Sequence, residues 1–113
     1  MPDTLFTKII NREIPAEIVF EDELCIAFRD ISPQAPVHIL IVPRKEIPKL
    51  ADAGEQDRDL LGHLLLTAGK IIKDEGYGDS YRLVINNGEQ AGQTVFHLHI
   101  HILAGRDFTW PPG

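Results

Sequence analysis

His97-Leu98-His99-Ile100-His101-Ile102-Leu103 sets three histidines at two-residue spacing with aliphatic residues between them. Successive side chains of an extended strand point to opposite faces. The imidazoles therefore share one face, neighbours roughly 6.5 Å apart along the strand, and Leu98, Ile100 and Ile102 line the other, where a core can bury them. Wound as a helix at 3.6 residues per turn, the same residues would scatter the histidines over about 200°. The spacing predicts a strand from Val95 to Leu103 with one chemical face and one packing face.

Working outward, Asn86 to Gln93 is a glycine-rich loop that leads into this strand, and Tyr81 to Ile85 is a further strand. Before it, Leu60, Leu61, Leu64, Leu65, Ala68, Ile71 and Ile72 recur at helical spacing, which predicts a long helix from about Glu55 to Glu75. Asp52 or the Gly54-Glu55 region supplies its start signal, Gly76 and Gly78 stop it, and Pro48 prevents an earlier start. Val37 to Val42 is apolar apart from His38, as a central strand requires, and Pro43 closes it. Asp30 to Pro36 is a proline-punctuated loop. Glu17–Phe20 and Leu24–Phe28 read as a hairpin joined by Glu21-Asp22-Glu23. Leu5 to Arg12 is a short helix capped by Thr4 and ended by Pro15, with Leu5, Phe6, Ile9 and Ile10 as its apolar stripe. His63, beside Gly62 on the long helix, reads as a surface residue. The order predicts an α+β fold, one mainly antiparallel five-stranded sheet with a short N-terminal and a long central helix. Residues 106–113 form an extended tail ending in Trp110-Pro111-Pro112-Gly113.

The bulk properties narrow the class. A chain of 113 residues with 43% hydrophobic content is one domain by length and has enough apolar surface for a core without staples. A formal charge of −6 argues against duplex binding, which depends on cations that neutralise phosphates. It leaves room for a small phosphorylated ligand held by local donors. Cys25 is the single cysteine, so no disulfide framework exists and a cytoplasmic location is expected. The start, Met1-Pro2-Asp3-Thr4-Leu5, lacks the features of a signal peptide, and no run reaches the roughly 18 apolar residues of a membrane span.

Three readings compete for the histidines. As core residues, three aligned imidazoles would each need polar partners and would repel one another when charged. As zinc ligands, with His38 completing a set, they would need acceptors beyond the metal, yet no Asp or Glu lies close in sequence. As catalytic groups at a phosphoryl centre, a neutral imidazole attacks phosphorus while its neighbours donate hydrogen bonds. The third reading gains from the preceding loop, whose glycines let backbone N–H groups approach an anion and whose Asn86, Gln93 and Thr94 add side-chain donors.

The histidine run, with Phe6-Thr7-Lys8-Ile9-Ile10, Glu13-Ile14-Pro15-Ala16, Phe28 to His38 and the Trp110-Pro111-Pro112-Gly113 ending, resembles the Hint branch of the histidine-triad family over nearly the whole chain. The resemblance implies a hydrolase, a purine nucleoside phosphoramidase without metal or other cofactor. It implies His99 as nucleophile, His101 at the phosphate and the departing amine, His97 in a supporting role, and His38 in the nucleophile's proton network. Asn86, Gln93 and Thr94 would contact the phosphate or leaving group, Asp30 the ribose hydroxyls, and Phe6, Ile9, Ile14, Phe28 and Ile31 the purine. A carboxylate independently suits a vicinal diol, and an apolar slot a stacked base. The resemblance also implies a homodimer, with the long helix and a sheet edge at the interface and Trp110 reaching toward the partner's site. Rival functions are dinucleoside-polyphosphate hydrolysis within the same family, and a nucleotide- or partner-binding regulator whose catalysis is incidental.

Overall fold

The computed structural model describes residues 3–113; Met1 and Pro2, which head the stretch read for targeting signals, lie outside them. Helix α1 (Leu5–Ile10) starts where expected, with the Thr7 N–H donating to Thr4 Oγ1 at 3.2 Å. It ends two residues before the predicted Arg12, which takes φ 62° as the chain turns toward Pro15. The hairpin is β1 (Ile18–Glu21) and β2 (Cys25–Arg29), and Asp22 builds its turn: Oδ1 accepts from the Leu24 and Cys25 N–H groups, each at 2.8 Å. Strand β3 (Val37–Pro43) is buried along its whole length, as its unbroken apolar run demands.

The long helix α2 (Arg58–Asp74) begins three residues later than predicted, after a single 3-10 turn at Glu55–Asp57. The start signal lies in the predicted Gly54-Glu55 region rather than at Asp52: Gly54 caps the 3-10 turn, and Asp57 completes the capping box. Asp57 Oδ2 accepts from the Gly54 N–H at 3.0 Å, and Oδ1 pairs with Lys45 Nζ at 2.5 Å. Gly76, at φ +95°, ends the helix; the Tyr77 N–H returns to the Ile72 carbonyl at 3.0 Å. Strands β4 (Arg82–Val84) and β5 (Ile100–Ala104) complete an antiparallel five-stranded sheet of order β1-β2-β3-β5-β4. The α+β prediction therefore stands.

The sheet divides the protein into two apolar layers. Ala27, Ile39, Ile41, Ile100 and Ile102 meet α2 residues Leu64, Ala68, Ile71 and Ile72 on one face. Ile26, Phe28, Leu40 and Val42 meet Phe6 and Ile9 of α1 on the other. Alternation along β3 places His38 on the α1 face with Leu40. Among the described residues, no helix is long and apolar enough to cross a membrane.

One boundary differs in a way that matters for the site. The histidine strand was expected from Val95 to Leu103, but regular pairing starts only at Ile100. His97 and His99 precede it in irregular chain. Alternation survives: Leu98, Ile100 and Ile102 are buried in the α2 layer, and His99 and His101 turn toward α1. The ladder stops because this chain bonds elsewhere, as the site geometry shows.

Candidate active site

The segment before β5 is fastened to residues 43–48 rather than to a neighbouring strand. The Leu98 N–H donates to the Ile47 carbonyl at 2.7 Å, and His97 Nε2 bonds the Pro43 carbonyl at 2.7 Å. Gln93, 2% exposed, donates through Nε2 to the Pro48 and Val95 carbonyls at 2.8 and 3.1 Å and accepts the Gly88 N–H through Oε1 at 2.8 Å. Both hydrogens of its amide are engaged, so the expectation that Gln93 contacts a phosphate gives way to a different role: it locks the glycine-rich loop to the segment ahead of His99.

These bonds set the tautomers. A carbonyl accepts only, so His99 carries its proton on Nδ1, which donates to the His97 carbonyl at 2.7 Å. Its Nε2 then keeps a free lone pair. The Gln34 backbone N–H donates to His38 Nδ1 at 3.0 Å, which puts the proton of a neutral His38 on Nε2. That Nε2 lies 2.9 Å from His101 Nδ1 and donates to it, so His101 holds its own proton on Nε2. One nitrogen with a lone pair and one with a hydrogen are thus fixed on neighbouring rings, whose centroids lie 5.0 Å apart.

Desolvation is the main force on all four rings and moves each toward its neutral form. It lowers His97 and His99 below the ordinary histidine value, against the hydrogen bonds to the Pro43 and His97 carbonyls. His38 is lowered by burial, with the Asp30 carboxylate opposing. His101 falls to about 4, through burial first and then the neighbouring His99 and His38. At neutral pH the cluster is uncharged, and the His99 Nε2 lone pair is unprotonated.

A cleft of about 240 Å³ opens in front of His99 and His101. Phe6, Ile9, Ile14, Phe28, Ile31, Asp30 and Thr94 all line it, as the sequence reading expected. The Phe6 ring stands edge-on to His99, centroids 4.9 Å apart. Ile31, 93% exposed, forms an open lip. Asp30 serves two ends: Oδ1 accepts the Ser32 N–H at 2.7 Å and shapes the turn, while Oδ2 lies 3.5 Å from His38 Nε2. His97 and His38 stand behind the lining. Asn86 packs beside Gly92, outside it, and Trp110 is on the exposed tail, away from the lining.

The sequence reading missed Leu5, Pro15, Ala16, Arg29, Leu40 and Val95 as lining residues. Period-two alternation from His38 and from His97 points to Leu40 and Val95; nothing in the local pattern marks Pro15 or Ala16. It also missed the Gln34 N–H, a main-chain group with no signature in residue type.

Asp30, His38 and His101 offer three donor atoms within 4.8 Å of one another. His38 is poorly set for an ion there. Its Nδ1 already accepts from Gln34, so its proton occupies the nitrogen that would have to face the metal.

Comparison with known proteins gives a consistent family pattern. The HIT domain matches residues 11–108. An uncharacterized HIT-like protein of Synechocystis is 63% identical over 98% of this chain and 97% of its own. The adenylylsulfatase HINT1 of Arabidopsis thaliana is 50% identical over 97% of this chain and 76% of its own. Among solved structures, a HIT family hydrolase from Legionella pneumophila superposes with TM-score 0.96 at 49% identity, covering 98% of this chain and 100% of that one.

Proposed function

The chain belongs to the HIT domain family, and from that premise and the histidine geometry we propose that it hydrolyses the P–N bond of purine nucleoside 5′-phosphoramidates through a nucleotidyl-His99 intermediate. The observation that carries this reading is the bond from His99 Nδ1 to the His97 carbonyl. It leaves an Nε2 lone pair at the cleft, on a ring that desolvation keeps neutral.

In the first step Nε2 bonds to phosphorus as the P–N bond breaks. The electron pair departs on the amine nitrogen, which takes a proton through the His101 N–H. Water then attacks phosphorus, the bond to His99 breaks, the nucleoside monophosphate leaves, and a proton from that water restores His101. Thr94 is the side-chain donor for the phosphoryl oxygens, Asp30 Oδ2 accepts from the ribose, and Phe6, Ile9, Ile14, Phe28 and Ile31 enclose the base. Incubation with a nucleoside phosphoramidate, early quenching and intact-mass measurement test the reading. The expected result is a nucleotide-sized adduct at His99 that is missing in His99→Ala; turnover by His99→Ala at the wild-type rate would overturn it.

The neutral rings favour a second substrate class. A sulfate leaving group departs without a proton, and the Arabidopsis relative is named an adenylylsulfatase. Rates for adenosine phosphoramidate and adenylyl sulfate, compared across pH, distinguish the two: protonation-dependent loss of an amine gives a rate that falls as pH rises, and loss of sulfate does not.

The reading includes a homodimer in the cytoplasm, the reducing compartment that suits a lone buried thiol. Leu50, Leu61, Leu64, Leu65, Ile85 and Leu98 line an apolar groove of about 170 Å³ near the edge strand β4, and Leu66 is 79% exposed beside it on α2. In a dimer closed over this face, Trp110 of one copy reaches the other copy's cleft. Sedimentation should give twice the chain mass for the wild type and the chain mass for Leu66→Glu.

A further inference from the structure

The β1–β2 turn and α2 bring a carboxylate, a thiol and an imidazole together on the sheet face opposite the cleft. Asp22 and Cys25 come from the turn and His63 from the helix, and one donor atom of each lies within 4.8 Å of the other two. His63 Nε2 is 2.7 Å from Asp22 Oδ2. His63 was expected at the surface; it is half-buried and held by this contact. From this juxtaposition we propose that Asp22, Cys25 and His63 form a binding site for a zinc-class divalent cation, separate from the histidine cluster and independent of the hydrolase reading.

Three features support it. The donors match zinc, which takes thiolate, imidazole and carboxylate together at about 2.0–2.3 Å, whereas magnesium and calcium avoid sulfur. The carboxylate is already oriented: Oδ1 accepts the Leu24 and Cys25 N–H groups, which leaves Oδ2 as the single ligand oxygen. His63 also passes the test that His38 fails. Its Nδ1 carries no hydrogen bond among the described residues, so the ring proton can move there and free Nε2 for an ion.

The Cys25 thiol is fully buried, and burial together with Asp22 pushes it up to about 12. A coordinated cation removes that proton outright, and the Asp22 charge that opposes thiolate formation attracts the cation. Arg44, the nearby positive group, is engaged by Glu21 at 3.0 Å and by the Asp22 carbonyl at 2.8 Å. Binding releases the thiol proton and ties the hairpin turn to the middle of α2; no electron transfer is involved.

Cobalt(II) tests the site on the full-length protein, because Cys25 is the only cysteine and a cobalt–thiolate bond absorbs in the near ultraviolet. The expected result is a one-to-one band, displaced by zinc, absent in Cys25→Ser and weakened about 10-fold or more in His63→Gln. His63→Gln changes a half-exposed helix residue and keeps the measurement meaningful if Cys25→Ser folds poorly. Absence of the band overturns the proposal, as does an unchanged affinity in His63→Gln. Zinc binding equally tight in Cys25→Ser also overturns it and assigns the ion to Asp30, His38 and His101.

Discussion

The depressed titration of His101 makes acid stability a direct probe of the cluster. The folded ring titrates at about 4 and a free histidine at 6.5, so between those values the unfolded chain binds more protons than the folded one. Stability from this group is therefore intact above pH 6.5 and is lost as pH falls toward 4. The interval of 2.5 units between 6.5 and about 4, at roughly 1.4 kcal/mol per unit, would give about 3.5 kcal/mol; solvent screening of the half-exposed ring reduces this to about 2 kcal/mol. Urea unfolding of the wild type and His101→Asn, at about pH 7.5 and about pH 4.5, isolates the contribution because every carboxylate titrates in both proteins. The wild type should lose about 2 kcal/mol more than the variant over that interval. Equal losses would refute the claim that burial and neighbouring rings hold His101 neutral, and with it the account of why His99 is unprotonated.

The same burial puts the acid limb of activity below pH 6.5, because His99 loses its lone pair only on protonation at a lowered value; a kcat/KM profile with a midpoint above that pH contradicts it. Gln93→Glu sets a carboxylate against the Pro48 and Val95 carbonyls and should cost about 2–4 kcal/mol in chemical denaturation. Its kcat should fall more than its KM rises, since the nucleophile's segment shifts while the base slot stays. Asp30→Asn should weaken nucleotide binding about 10-fold in calorimetry and abolish the preference for ribose over deoxyribose, reflecting a lost charged acceptor. Ile31→Ala should leave unfolding stability within about 0.5 kcal/mol, because the free side chain is exposed, while raising KM.

Elements whose pattern repeats were legible in the sequence. The α2 stripe, the β3 run and the alternation from Leu98 to Ile102 each bury the residues that periodicity picked out. Element starts were less legible where tertiary contacts decide them. At the start of α2 the local capping box of Gly54 and Asp57 is legible, but the pairing of Asp57 with Lys45, twelve residues away, is not. At the site, side chains with distinctive chemistry were found because residue type carries their signal: His38, His99, His101 and Asp30 converge as expected. Gln93 misled because an amide beside glycines reads the same whether its hydrogens meet a phosphate or a carbonyl. His63 misled for a related reason, since its partner Asp22 lies 41 positions away.

The premature end of the β5 ladder links this fold to its chemistry. In a continued strand the Leu98 N–H and the His97 carbonyl would belong to sheet pairing, and the peptide groups around His99 would have no spare acceptor. Leaving the sheet before Ile100 sends the Leu98 N–H to Ile47 and frees the His97 carbonyl to take the His99 Nδ1 proton. Side-chain alternation persists into β5 from Leu98, so the aliphatic anchors still enter the core. The price is an unsupported segment, and Gln93, the Pro43 carbonyl and the Ile47 carbonyl supply the missing support. An imidazole on a fully paired strand could share the same face but would have a tautomer set by whatever it met in solution. Here the backbone chooses it, which gives neighbouring histidines distinct tautomers, one with a free lone pair and one with an N–H.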